Sequence, residues 1–266
     1  VTELEKLAEG REAELFLLPD GRVLRLMRPE LRDPARTADL EAAALHAAAT
    51  AGIPVPALYG RVERDGRPGL VMERLDGRDL LTLVGRRPWL VGSVARRCGA
   101  LHAELHEVPG PAELPTTRDW VRERIEASDA VPERLRDEGL AALGDLPDGD
   151  RLSHGDFHPG NVLGERHVID WGKATRGDPT ADVARSWVVL EFSPLPPGSS
   201  AIERRMAAAG RGLLLSGYMR SYSRAARLDS ELLARWVRVR AIERLAQEIQ
   251  GEREPILARL GVMSDR

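Results

Sequence analysis

The chain has one cysteine, Cys98, in 266 residues, which excludes an internal disulfide and a cysteine-rich metal site. Aromatic residues make up only 4%, too little for a base-stacking platform. No charge of one sign dominates: the formal net charge is −3. The totals therefore give no reason to expect nucleic acid or an anionic membrane as partner. No apolar run approaches the roughly 20 residues of a membrane span, and the opening residues do not read as a signal peptide. A cytoplasmic location is the expectation. Lysine is nearly missing, occurring only at Lys6 and Lys173, so cations placed on phosphates are expected to be guanidiniums. What is present, 42% hydrophobic and 30% charged residues, describes an ordinary soluble protein. At this length two lobes are as natural as one domain, as a monomer or a homodimer.

The first part reads as strands. Residues 12–18 and 22–27 flank Pro19-Asp20-Gly21, a hairpin signal. A helix is predicted over 34–50, with Asp33 as N-cap and Pro34 at its first position. Strands near 58–63 and 68–73 bracket a second turn, Asp65-Gly66. From Asp79 onward the period is mostly helical: an apolar stripe runs over 89–106, and long helices are predicted near 201–226 and 229–249 after a proline-rich separator at 193–200. Asp178 is placed as N-cap of a helix starting at Pro179. A strand-rich lobe followed by a helical lobe is an α+β arrangement, with a ligand expected in the cleft between them.

The segment HGDFHPGN, His154 to Asn161, is followed by Val168-Ile-Asp170-Trp-Gly172. Phosphoryl transfer needs a carboxylate near the attacking hydroxyl, hard oxygen ligands for magnesium, and cations on the phosphates. Asp156 and Asn161 have the spacing of a kinase catalytic loop, and Asp170, after a short apolar strand, stands where the second metal-binding carboxylate belongs.

Together these motifs closely resemble the signature of the aminoglycoside-phosphotransferase and choline-kinase-like family. The resemblance implies a bilobal protein-kinase-like fold: a small antiparallel-sheet nucleotide lobe at 1–73 with one main helix, a hinge at 74–79, and a larger helical lobe at 80–266. It implies Asp156 as catalytic base, Asn161 and Asp170 as magnesium ligands, and ATP or GTP as donor to a hydroxyl of a small molecule. Arg25 takes the place of the usual strand lysine, with Glu41 as its helix partner, and the backbone at Glu73 and Leu75 would meet the adenine. His154 would fix the loop. Asp182 either reaches back to the loop amides or is a plain helix-face carboxylate. The glycine-rich loop is poor, with one glycine in the stretch 9–14.

His102 and His106 are four apart on one helical face, but the glutamate that a zinc protease needs directly after the first histidine is missing and no third ligand is evident. A helix end with histidines favourable to the dipole is the expectation instead. Cys98 reads as a small core residue. The rival to a kinase is a nucleotide-binding pseudokinase with a regulatory or scaffold role, which the glycine-poor loop and Arg25 favour and the intact Asp156, Asn161 and Asp170 oppose. The acceptor is not legible. Residues 112–150 carry 11 acidic and 5 basic side chains and 201–266 carry 8 acidic and 13 basic, so the preferred acceptor charge depends on which segment lines the pocket.

Overall fold

The computed structural model describes residues 4–194 and 200–262; most of the expected proline-rich separator lies outside them. The two hydrophobic runs around residues 19–21 form strands β2 (Ala13–Leu17) and β3 (Val23–Met27). Leu18 N–H donates to Arg22 O at 2.8 Å and Gly21, at φ 83°, closes a three-residue loop. Strands β4 (Leu58–Arg64) and β5 (Arg67–Met72) turn through Asp65 and Gly66, both at positive φ. Strand β1 (Glu5–Glu9), which the sequence does not predict, precedes them; all five of its residues are exposed, so no buried face imprints an alternation. The antiparallel sheet runs β1-β2-β3-β5-β4. Helix α1 (Pro34–Thr50) starts where expected, with the Asp33 side chain accepting from Arg36 N–H, and packs its alanines and Leu45 on the sheet. Its buried face includes a carboxylate, Glu41.

Helix α2 (Leu80–Arg86) opens the helical part. Residues 88–90 make a separate 3₁₀ turn, so α3 (Val91–Leu105) begins two residues later than the stripe suggests. Helices α4 (Thr117–Glu126) and α5 (Glu133–Gly144) follow, then β6 (Arg151–Ser153), the short hairpin β7 (Val162–Leu163) and β8 (His167–Val168), and β9 (Thr175–Gly177), which pairs with β6. Helices α6 (Pro179–Phe192), α7 (Ala201–Ala225), α8 (Ser230–Leu245) and α9 (Arg253–Leu260) complete the chain. One core runs from the sheet and α1 through α3 to Trp171, Tyr218 and Tyr222; a second joins α4, α5, α6, α8 and α9. Helices α3 and α7 approach so closely that a Cβ at Gly99 would lie 2.4 Å from Tyr218 O. Among the described residues no helix is long and apolar enough to cross a membrane.

Candidate active site

The loop after β6 rests on a polar floor. Asp182, on the buried face of α6, accepts His154 N–H at 2.6 Å and Gly155 N–H at 2.9 Å. It also accepts from His102 Nε2 at 3.0 Å and faces His106 Nε2 at 3.4 Å. Of the two open readings of Asp182, the geometry selects the contact with the loop amides. His154 Nε2 donates to Ile169 O at 3.0 Å, which leaves Nδ1 to accept Asp156 N–H at 3.2 Å. Gly155 has φ 78°, and a Cβ there would lie 2.1 Å from Lys173 O, so only glycine fits.

The histidine pair departs from expectation. Both rings are buried, their Nδ1 atoms bonded to Tyr218 and Tyr222 hydroxyls at 2.6 and 2.7 Å. Burial, with His106 alongside, pushes His102 down to about 3, so it is a neutral core group and not a cation on the helix dipole. A third group does join the pair: ligand atoms of His102, His106 and Asp182 lie within 4.8 Å of one another. The Asp182 carboxylate, however, is already held by the imidazoles and two backbone amides, and the trio is a structural floor. Phe157 stacks on His102 at 4.1 Å between ring centres. Cys98 is buried, and burial raises its thiol to about 12.

Above the floor, Lys173 Nζ donates to Asp156 Oδ2 at 2.5 Å, and Arg185 Nη2 stands 3.5 Å from Oδ1. Burial alone would raise the Asp156 carboxyl; the charges of Lys173 and Arg185 outweigh it and hold the group well below the usual carboxylate range. Asn161 Nδ2 donates to Asp156 O at 2.9 Å, which fixes the amide and leaves its Oδ1 as a hard oxygen donor. Asp170, in the left-handed region at φ 65°, accepts Arg25 Nη2 at 2.8 Å, while Arg25 Nε donates to Glu41 at 2.8 Å. One guanidinium thus ties β3, α1 and the strand-end carboxylate, 145 positions apart in sequence, into one chain.

Lys173 and Arg185 were not anticipated. Lysine scarcity was the one available signal for Lys173; Arg185 resembles any other helix arginine until α6 is known to bury it. Glu12 was also missed. A Cβ on Gly172 would lie 2.3 Å from Glu12 Oε2, so this side chain sits directly over the segment that follows Asp170.

A chain of Asp, Asn and strand-end Asp over a buried carboxylate, beside a sheet lobe, can be compared with known architectures. The APH family model, described as the phosphotransferase enzyme family, matches residues 3–226. The chain belongs to that family. Its fold is similar to that of aminoglycoside-3'-phosphotransferase of type VIII, with TM-score 0.61 and 21% identity over 91% of this chain and 92% of that one. APH(2")-IIia in complex with GDP and kanamycin gives TM-score 0.61 at 18% identity, covering 98% and 92%. A protein of Haemophilus somnus 129PT described as a candidate fructosamine-3-kinase gives 0.60 at 15%, covering 98% and 90%. No curated protein matches in sequence. The fold is the bilobal kinase-like one, with the small antiparallel sheet on one side and helices on the other.

In this phosphotransferase two adjoining hollows line the cleft. The first, of about 340 Å³, is walled by Leu15, Val23, Met72 and Ile169 and reaches Arg25, Glu41 and Asp170 at its inner end. Glu73 and Leu75 lie on its rim. Glu73 N–H donates to Ala57 O at 2.8 Å and its carboxylate accepts Ala57 N–H at 3.1 Å, so the Glu73 side chain is turned to the sheet edge. The second, of about 500 Å³, holds Asp156, Asp170 and Lys173 and extends to Arg124, Arg244 and Gln247.

Magnesium fits the inner end. Among the described residues Arg25 is the cation paired with Glu41 and Asp170, with Glu12 beside them. Burial pushes Glu41 up to about 7 against the pull of Arg25, and burial, with Asp170, also raises Glu12 against the pull of Lys173. Burial would raise Asp170 as well, but Arg25 and Lys173 hold it low. Glu12, Glu41 and Asp170 around Arg25, with Lys173 as the other nearby cation and Asn161 adjoining, form a hard-oxygen donor set with more carboxylates than cations.

Proposed function

We propose that this enzyme transfers the γ-phosphoryl group of ATP or GTP, bound with magnesium, to a hydroxyl of a small molecule. The observation that carries the reading is the Glu41–Arg25–Asp170 chain meeting the Lys173–Asp156 pair at one end of the cleft. Residues 1–73 then serve as the nucleotide lobe and 80–266 as the catalytic and acceptor lobe, with 74–79 as hinge. The apolar hollow takes the base, whose edge reaches the backbone at Glu73 and Leu75.

Asp156 orients the acceptor hydroxyl and receives its proton. Because Lys173 and Arg185 keep it ionised, it is a weak base in the resting enzyme, and the proton moves late, as oxygen–phosphorus bonding develops. Asn161 and Asp170 hold the magnesium, which supplies charge neutralisation on the phosphate oxygens when bound. Arg25, kept in place by Glu41, presents its guanidinium to the phosphates as a planar fork. His154 and Asp182 keep the loop in shape without touching substrate. Most of the acceleration comes from positioning and electrostatics.

The test is incubation with magnesium and ATP or GTP across hydroxylated small molecules, with mass spectrometry of the products and Asp156→Asn as control. A phosphorylated product that vanishes in the control supports the reading. Magnesium-nucleotide binding without any turnover would favour the pseudokinase, and no nucleotide binding would sink both.

A further inference from the structure

The far wall of the larger hollow carries charge beyond the Lys173 and Arg185 that hold Asp156. It is built by α4, α6, α8 and the turn that follows α8, segments well separated in sequence. Arg124 lies over the Trp120 ring at 4.7 Å and 3.5 Å from Glu243. Glu243 is shared with Arg240 at 3.0 Å and Arg185 at 3.9 Å. Arg244 grips Glu252 with two bonds of 2.6 and 2.8 Å. Around this layer five cations (Arg124, Lys173, Arg185, Arg240 and Arg244) stand against three carboxylates (Asp156, Glu243 and Glu252). Asp182 lies beneath, answered by its amides and histidines.

Hydrogen bonding points the same way. Gln247 Oε1 accepts from Arg185 at 3.1 Å and from Arg244 at 2.9 Å, which fixes the amide orientation. Its Nε2 is then buried with no hydrogen-bond partner, and Arg185 Nη1 and Arg240 Nη2 behind it also lack a hydrogen bond. Of these residues Gln247 lines the hollow, and a buried amide donor without an acceptor is costly unless a ligand supplies one. Among the described residues lining this hollow the carboxylates are Glu12, Asp156 and Asp170, all on the catalytic side. The acidic stretch 112–150 sends only Arg124 into the lining.

Resting on the phosphotransferase reading above, we propose that the acceptor is a hydroxylated anion. Its carboxylate or phosphate group is seated against Arg124 and Gln247 while its hydroxyl meets Asp156. A polycationic acceptor meets guanidiniums here and no compensating carboxylate.

The experiment is calorimetric titration of the full chain, with magnesium and a non-hydrolysable ATP analogue saturating the nucleotide site. The probes are gluconate, glucose 6-phosphate, glucose, glucosamine and kanamycin. At least one anion is expected to bind tenfold or more tightly than glucose, with glucosamine and kanamycin weaker still. Gluconate against glucose 6-phosphate decides between carboxylate and phosphate. Arg124→Gln removes the half-exposed cation, and Gln247→Glu keeps both arginine contacts while adding a negative charge. Each is expected to weaken the anion tenfold or more with analogue affinity unchanged. Kanamycin or glucosamine binding best, no anion exceeding glucose, or indifference to both substitutions overturns the proposal. Failure of the wild-type chain to bind the analogue overturns the phosphotransferase reading instead.

Discussion

On the nucleotide side of the cleft one guanidinium, Arg25, faces Glu41 and Asp170 directly and Glu12 nearby. On the far side Arg124, Lys173, Arg185, Arg240 and Arg244 surround Asp156, Glu243 and Glu252. The two walls are unbalanced in opposite senses within one cavity. Burial makes the imbalance matter, because charge uncompensated in a low dielectric interacts more strongly than on the surface. The negative wall is thus prepared for a cation and the positive wall for an anion, with Asp156 between them. A polar group missing on each side is a better guide to a ligand than the family name, since relatives of this fold differ in what they bind.

The largest effect is expected where the walls meet. Asp156→Asn removes the proposed proton acceptor and should lower turnover roughly 10²–10⁴-fold, the usual range for a general base. Steady-state kinetics checks this beside a thermal unfolding curve. Near-normal turnover would remove Asp156 from the base role.

Next comes the pH dependence of the negative wall. Glu41 lies at about 7 in the folded protein against an ordinary 4.5, so the native state holds its proton more tightly than the unfolded chain. Its contribution to stability is full below about pH 4.5 and is lost as pH rises through about 7, a change of about 3 kcal/mol. His102, His154 and His158, lowered by burial, slope the other way, since charging them in acid costs native stability. The informative quantity is therefore the difference between wild type and Glu41→Gln in urea unfolding from pH 4.5 to 8 without magnesium. Parallel curves would show that Arg25 keeps Glu41 ionised throughout.

Asp170→Ala sharpens the contrast by acting on one wall only. Nucleotide affinity in magnesium should fall by at least the roughly 10–100-fold that loss of an outer-shell partner costs, while affinity without magnesium changes little. A nucleotide titration with and without the metal reads this directly, and equal losses in both would place Asp170 on the nucleotide and not on the ion.

The sequence made the two walls unequally legible. Asp156, Asn161, Asp170, Arg25 and Glu41 lie in short motifs whose spacing carries meaning, and the geometry brings them together. Helix α1 was readable to the residue because Asp33 and Pro34 are local start signals. Strand β1 left no trace because nothing on it is buried. The far wall was illegible for a different reason: Arg124, Arg185, Arg244 and Gln247 come from three helices and the turn after the last, and each reads alone as a solvated residue. Only tertiary packing brings them to one hollow, and neither the acidic stretch 112–150 nor the basic stretch 201–266 shows by itself which of its residues face it.

The smallest effect falls on Glu12, the carboxylate that no motif indicated. It is partly exposed, lies over Gly172 and is raised first by burial and then by Asp170. Glu12→Gln keeps the shape and removes one negative charge from a crowded wall. Without magnesium a nucleotide triphosphate then meets less repulsion, and its affinity should rise about 2–5-fold, in line with the ~0.2–1 kcal/mol of a solvent-reached charge pair. With magnesium the ion answers part of that charge, so the gain should shrink. An equal gain in both conditions would mean that Glu12 repels the nucleotide without helping to attract the metal, and the negative wall would then consist of Glu41 and Asp170 alone.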